Sequence, residues 1–156
     1  VGKLAAEHYL EIPEEEVPFI NLRMFNVYGP GQDLGNLRQG MVSIFLAMAL
    51  KTGEIHVKGS LNRFRDFIYI DDVVNIWFKL ALDKNLINLT LNLGTGVKTT
   101  IKELLEEFEE NIPNISYYSE GITPGDQKGI YADNSLLKRT IGKYDFVCLE
   151  KGLKKL

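Results

Sequence analysis

Apolar residues return at helical spacing over 39–50, where Met41, Val42, Ile44, Phe45, Met48 and Ala49 share one side and Gly53 is placed to end the helix. Those methionines are expected in the core. The same period over 72–81, carried by Val73, Val74, Ile76, Trp77, Leu80 and Ala81, predicts a second helix with Asp71 and Asp72 at its start, as cap and first-turn negative charge. A third opens on the capping box Thr100-Ile101-Lys102-Glu103. Its inner face is Ile101, Leu104, Leu105 and Phe108, which leaves Glu106, Glu107, Glu109 and Glu110 in water. Residues 1–10 also read as helix, ended by Pro13 and the acidic run Glu14-Glu15-Glu16, and two short helical segments around 134–141 and 149–156 close the chain.

Strand patterns alternate with these helices. Residues 17–25 read as a largely buried strand suited to a parallel sheet, 89–93 alternate as a strand should, and short strands are expected at 55–59, 67–70 and 115–118. Residues 26–32 (Asn26-Val27-Tyr28-Gly29-Pro30-Gly31-Gln32) are expected to be a Gly/Pro turn at a strand's carboxyl end, where open α/β sheets build ligand crevices. An ordinary connecting turn is the equal alternative. The loop 121–129 contains Thr123-Pro124-Gly125-Asp126, and no internal repeat or low-complexity linker interrupts the pattern. An α/β domain is implied.

Composition narrows the function classes. With 156 residues, 45% of them hydrophobic, the chain can bury a real core, and a net charge of -3 removes the electrostatic case for a nucleic-acid binder. One cysteine, Cys148, forms no internal disulfide, and His8 and His56 make no zinc spacing, so a reducing cytoplasm is the expected compartment. No apolar run approaches the roughly 20 residues needed to span a bilayer, and no membrane partner is expected. The first helix has neither a methionine nor a cap before it, the opening expected of a fragment.

Candidate chemistry centres on Phe64-Arg65-Asp66-Phe67-Ile68-Tyr69-Ile70-Asp71-Asp72. A guanidinium at the mouth of a strand offers a rigid fork of donors suited to phosphate or pyrophosphate; the plainer alternative is a surface Arg65 paired with Asp66. Gly94-Thr95-Gly96 after the 89–93 strand invites a dinucleotide reading, which fails because Thr99 stands where the fingerprint needs its third glycine.

Taken together the segments resemble the second half of the extended short-chain dehydrogenase/reductase family, the NAD-dependent nucleotide-sugar epimerases and dehydratases. Lys3-Leu4-Ala5-Ala6-Glu7 is similar to the lysine end of the family's Tyr-x-x-x-Lys pair, and Arg23-Met24-Phe25-Asn26-Val27-Tyr28-Gly29-Pro30-Gly31-Gln32 to its substrate-side loop. Phe64 to Asp72, Asn92-Leu93-Gly94-Thr95-Gly96 and Pro124-Gly125-Asp126 follow in family order. The resemblance implies an incomplete doubly wound, Rossmann-like parallel sheet plus a small α/β substrate-binding lobe, with residues 1–156 forming the C-terminal, substrate-binding half. The NAD-binding half and the catalytic tyrosine would precede Val1.

The resemblance also implies roles. Lys3 would bond the nicotinamide ribose and assist the tyrosine, and Phe25 would lie against the nicotinamide. Asn26 would hold the nucleotide sugar near its phosphates, His56 and Lys58 would border the base with main-chain groups, Arg65 would grip the pyrophosphate, and Asp126 belongs to the family's Arg-x-Gly-Asp motif. That motif usually begins with an arginine, where this chain has Thr123. The implied parent is an NAD-dependent epimerase moving a hydride off and back onto a sugar carbon, with a dehydratase or a non-catalytic binding or scaffold protein as alternatives. In the 156-residue chain alone Lys3 would be a solvated helix lysine and the polypeptide inert. A homodimer through the first helix is the implied assembly.

Overall fold

The structure is a computed structural model that describes residues 2–12, 17–36, 38, 40–121 and 127–156. In chain order the described residues form α1 (Gly2–Glu11), β1 (Ile20–Met24), β2 (Asn26–Tyr28), α2 (Met41–Thr52), β3 (Glu54–Lys58), β4 (Phe64–Arg65), β5 (Phe67–Tyr69) and α3 (Ile70–Leu82). β6 (Leu89–Leu93), β7 (Thr99–Thr100), α4 (Ile101–Asn111), β8 (Ser116–Glu120), α5 (Ser135–Ile141) and α6 (Leu149–Leu153) follow. The α/β expectation holds.

Local signals act as read. Thr100 accepts from the Glu103 main-chain N–H at 3.1 Å while Glu103 accepts back from the Thr100 N–H at 2.6 Å, closing the capping box at the head of α4. Gly53 takes the left-handed conformation at φ 72° and its N–H reaches the Ala49 carbonyl at 3.0 Å, ending α2. Other expectations are corrected. The turn expected at 26–32 begins only at Gly29, because Asn26–Tyr28 finds a strand partner in β5. Asp71 and Asp72 lie in the first turn of α3 but neither caps it; the N-cap is Tyr69, without a side-chain bond. Asp72 is instead buried, accepting from the Tyr144 hydroxyl at 3.0 Å and the Val147 N–H at 2.9 Å, and so fastens the C-terminal segment to α3. On α3, Val73, Ile76 and Leu80 are buried while Val74 and Trp77 are exposed. Met41 and Met48, expected in the core, pack against it and are partly buried.

Among the described residues β1 pairs with β6, β2 with β5 and β3 with β8 in parallel, while β4 and β7 are antiparallel. β1 and β2 are nearly one strand that changes partner. The Phe25 N–H still reaches the β6 carbonyl of Leu93 at 3.1 Å, but the next N–H, on Asn26, goes to the Asp66 carbonyl at 3.1 Å just before β5. A strand that leaves one neighbour for another opens a crevice at that point.

β5 divides the interior in two. Its alternation sends Phe67 and Tyr69 into one core with Val42, Phe45, Ile55, Leu104, Leu105 and Phe108, and Ile68 into the other with Val73, Ile76, Leu80, Leu91, Leu93 and Leu137. All three β5 residues are buried, as expected of a strand covered on both faces. The first core belongs to the lobe built on α2, α4 and β3, the second to the parallel pair β1·β6 with α3 and α5.

Candidate functional site

A cavity of about 890 Å³ opens at the place where β1 passes into β2. This volume falls within the roughly 300–1,000 Å³ usual for small-ligand sites. Phe25, Asn26 and Val27 form one side, the inner face of α2 (Met41, Ile44, Phe45, Met48) an apolar wall, and His56, Val57 and Lys58 of β3 the far side. Lys3 of α1 reaches the rim, and Arg38 and Arg63 enter from loops. β3 buries Ile55 and Val57 and exposes Glu54, His56 and Lys58, so His56 and Lys58 share one face of the strand by periodicity, and Val57 between them also lines the cavity.

Charge is lopsided in this cavity. Lys3, Arg38, Lys58 and Arg63 line it, and no carboxylate does among the described residues. A chain of net charge -3 has thus collected four cations around one hollow, an arrangement that focuses a positive potential suited to a polyanionic ligand.

Several side chains are held in place. Asn26 donates through Nδ2 to the Asp66 carbonyl at 3.1 Å, the same oxygen that receives its N–H. The His56 ring lies 4.3 Å from Tyr118, its Nδ1 2.9 Å from the Tyr118 hydroxyl and its Nε2 3.2 Å from Glu54. Arg63 donates from Nε to the Ser60 carbonyl at 2.9 Å and from Nη2 to the Lys58 carbonyl at 2.5 Å. Burial, together with the charge of Arg65 nearby, pulls the Arg63 guanidinium below its ordinary value. Lys3 stands one turn from Glu7, whose carboxylate takes two N–H groups of Arg23, the shortest contact being 2.6 Å, tying α1 to β1. The bond to Arg23 holds Glu7 below the ordinary carboxylate value.

Of the residues expected from sequence, Lys3, Phe25, Asn26, His56 and Lys58 meet at this cavity. Arg65 does not line it: Nη1 donates to the carbonyls of Phe64 at 2.8 Å and Gln127 at 3.4 Å. Asp126 and Thr123 lie outside the described residues. The Arg65–Asp66 pair gives way to another role for the aspartate. Asp66 is fully buried and accepts from Thr95 N at 2.9 Å, Thr95 Oγ1 at 2.6 Å, Gly96 N at 2.9 Å and Ala132 N at 3.1 Å. Sequence reasoning missed Arg63, placed in a polar loop, and Arg38; nothing local marks either.

A scan of family models matches residues 1–94 to the NAD dependent epimerase/dehydratase family. The chain belongs to that family. Its members include relatives of varied chemistry: over its whole length it is 31% identical to the Escherichia coli dTDP-4-dehydro-6-deoxyglucose reductase, of which it covers 50%. Among solved structures, the UDP-glucose 4-epimerase of Thermotoga maritima with UDP-glucose is 35% identical, superposing 97% of this chain on 49% of that one at a TM-score of 0.88. The UDP-N-acetylglucosamine 4-epimerase of Methanobrevibacter ruminantium, in complex with UDP-N-acetylmuramic acid, is 27% identical over 98% of this chain and 50% of that one, TM-score 0.87. The chain thus spans about half the length of these relatives, and its fold matches that part of Rossmann-type epimerases.

The family's NAD can be tested against the residues present. Gly94-Thr95-Gly96 is a glycine-containing turn directly after a parallel strand, but the N–H groups of Thr95 and Gly96 already point at the Asp66 carboxylate. They cannot also cradle a pyrophosphate, which agrees with the misplaced third glycine. Lys3 and Phe25, by contrast, share the cavity rim. An ammonium and an aromatic ring at one place are groups of the kind that a nicotinamide ribose and ring would need.

Proposed function

We propose that this chain is the substrate-binding portion of an NAD-dependent nucleotide-sugar epimerase. The observation that carries it is the cavity at the β1–β2 crossover, with four cations, no lining carboxylate among the described residues, and an apolar wall from α2. These features suit a nucleotide sugar: the cations, with no carboxylate to oppose them, its diphosphate, and the apolar wall its flat base. Asn26 holds the sugar side near the phosphates, His56 and Lys58 border the base through the β3 main chain, and Arg65, close enough for its charge to act on Arg63, adds to the field at the diphosphate. Asp126 is assigned to the same substrate site by its motif.

NAD, where bound, would supply the acceptor and later the donor for a hydride exchanged with a sugar carbon. Toward that step Lys3 supplies a donor and a positive charge beside the nicotinamide ribose, lowering the cost of ionising a neighbouring hydroxyl. Phe25 keeps water from the nicotinamide side. α1 has no buried residue, and Leu4, Tyr9 and Ile12 are 53%, 72% and 77% exposed, so we assign this face to a homodimer contact. Sedimentation velocity should show Leu4→Glu/Tyr9→Glu shifting a dimer to monomer; a wild-type chain that is monomeric at high concentration refutes the assignment.

The functional test is calorimetric. UDP-glucose and dTDP-glucose are titrated into wild type and Arg65→Ala at two salt concentrations. Wild type should bind one of them more weakly at high salt, and Arg65→Ala, which removes a charge that acts only through the field, should lose about 1 kcal/mol, with Arg65→Lys recovering most of it. No binding of either sugar nucleotide refutes the reading; equal affinity in all three proteins removes Arg65 from the site.

A further inference from the structure

The C-terminal helix α6 is seated on a buried phenol. A Cβ at Gly152 would collide with the Tyr28 hydroxyl, so only a glycine lets α6 lie across that ring, and the hydroxyl reaches the Leu149 carbonyl at 3.5 Å. On its other side α6 packs against α4, where Leu153 shares a core with Leu104, Leu105 and Phe108. Half-buried Glu107 stands at this seam, and its Oε2 is the one buried side-chain nitrogen or oxygen among the described residues that has no hydrogen-bond partner. The donors around it are spent. The Asn111 amide, one turn on, donates to the Glu107 main-chain carbonyl at 2.7 Å, and Lys154 of α6 is held by Glu150 at 2.6 Å. The charges facing the Glu107 carboxyl are Glu110 on its own helix and Glu150 and Lys154 on α6, with the Tyr28 phenol of β2 close enough to feel it. Burial pushes that carboxyl above its ordinary value, Glu110 and Glu150 add to the push, and Lys154 opposes it. Glu150, gripped by Lys154, is held below its ordinary value. As pH falls, Glu107 therefore takes up its proton first, while the Glu150–Lys154 pair is intact.

We propose that Glu107 is a proton-operated latch for the C-terminal helix: protonated, it lets α6 sit firmly over Tyr28, and ionised, it loosens that seat. When α6 lifts, water reaches the carboxylate and its proton affinity returns to the ordinary one, so opening releases a proton that the seated state holds more tightly. The seat is strongest below the ordinary carboxylate value, weakens as pH rises through that value and the raised one, and stays weakened above both. An un-ionised carboxyl also has an O–H to donate, which a carboxylate lacks. Tyr28 ends the three-residue strand that begins at Asn26, so lifting α6 uncovers the far end of the strand that carries Asn26 to the cavity. The latch is independent of what the cavity binds.

Amide hydrogen exchange of wild type and Glu107→Gln, followed by mass spectrometry on peptides from α6 and α3 at about pH 4 and pH 7, tests the latch. Glutamine has the shape of the protonated acid and never ionises. At pH 7 the α6 amides of Glu107→Gln should exchange roughly three- to tenfold more slowly than those of wild type, and at pH 4 the two proteins should agree within about twofold. The α3 amides should be alike in both proteins at both values. An equal effect of Glu107→Gln at the two pH values, the mark of a purely packing role, overturns the proposal, and so does faster α6 exchange in Glu107→Gln at pH 7. Should the variant fail to fold, wild type decides: the ratio of α6 to α3 exchange rates, in which the intrinsic pH dependence cancels, should rise roughly threefold or more from pH 4 to pH 7. A ratio that is flat or falls over that range overturns the proposal.

Discussion

Asp66→Asn tests the account of how the site's floor is held. The carboxylate receives four donors, two on each oxygen: Thr95 N and Oγ1 on Oδ1, Gly96 N and Ala132 N on Oδ2. An asparagine keeps one accepting oxygen and turns the other into a donor. In its best orientation the amide nitrogen faces Thr95, whose hydroxyl can rotate to accept, but the Thr95 N–H is then stranded in a fully buried place at about 1–3 kcal/mol. The remaining bonds also lose their charge assistance. Allowing for partial relaxation, the loss should be about 3–5 kcal/mol, a large share of the 5–15 kcal/mol that typically holds a domain together. Urea unfolding followed by circular dichroism at 222 nm measures it, with Asp71→Asn as control, since exposed Asp71 makes only a 3.8 Å contact with Lys155. A loss below about 1 kcal/mol at unchanged denaturant slope would refute the buried network. Because Asn26 hangs from the Asp66 carbonyl by two bonds, the variant should also weaken sugar-nucleotide binding.

Two further predictions concern pH. Hydrogen bonds from the Thr100 main chain and side chain hold Glu103 below the ordinary carboxylate value, so its contribution is complete above the unfolded value and fades as pH falls through the folded one. Glu103→Ala should therefore cost about 0.5 kcal/mol at neutral pH and nothing in strong acid, read from paired urea melts; an acid-independent difference would contradict the capping box. Burial, reinforced by the charge of Asp72, raises the Tyr28 phenol, so above the ordinary value of 10.0 the unfolded chain ionises while the folded chain resists. Wild type should lose up to about 1.4 kcal/mol per pH unit relative to Tyr28→Phe there, and parallel alkaline stability curves for the two proteins would contradict this.

Much of the molecule is local in origin. The α4 cap, the Gly53 stop and the alternation of β3 and β6 each depend on residues within a few positions of one another, so the sequence shows them directly. Five ordered motifs likewise sufficed for the family, and Lys3, Phe25, Asn26, His56 and Lys58 do meet at one cavity. Three features could not be read that way. Asn26–Tyr28 is a strand only because β5, about 40 residues on, offers it a partner; its own residues before a Gly-Pro pair look like a turn. Asp66 reads as a neighbour for Arg65 until the turn at Thr95 and the chain at Ala132 bring their N–H groups to it. Arg63 sits in a polar loop whose sequence says nothing of a cavity; its seat exists because Gly59 leaves space and the carbonyls of Lys58, at the end of β3, and of Ser60, in the loop after it, accept from its guanidinium. The sequence by itself determined the helices and the longer strands, and which family's motifs they carry, because periodicity and caps act over one or two turns. Only the tertiary structure decided which charges share a wall, because a field at one point sums over residues as far apart in sequence as Lys3 and Arg63.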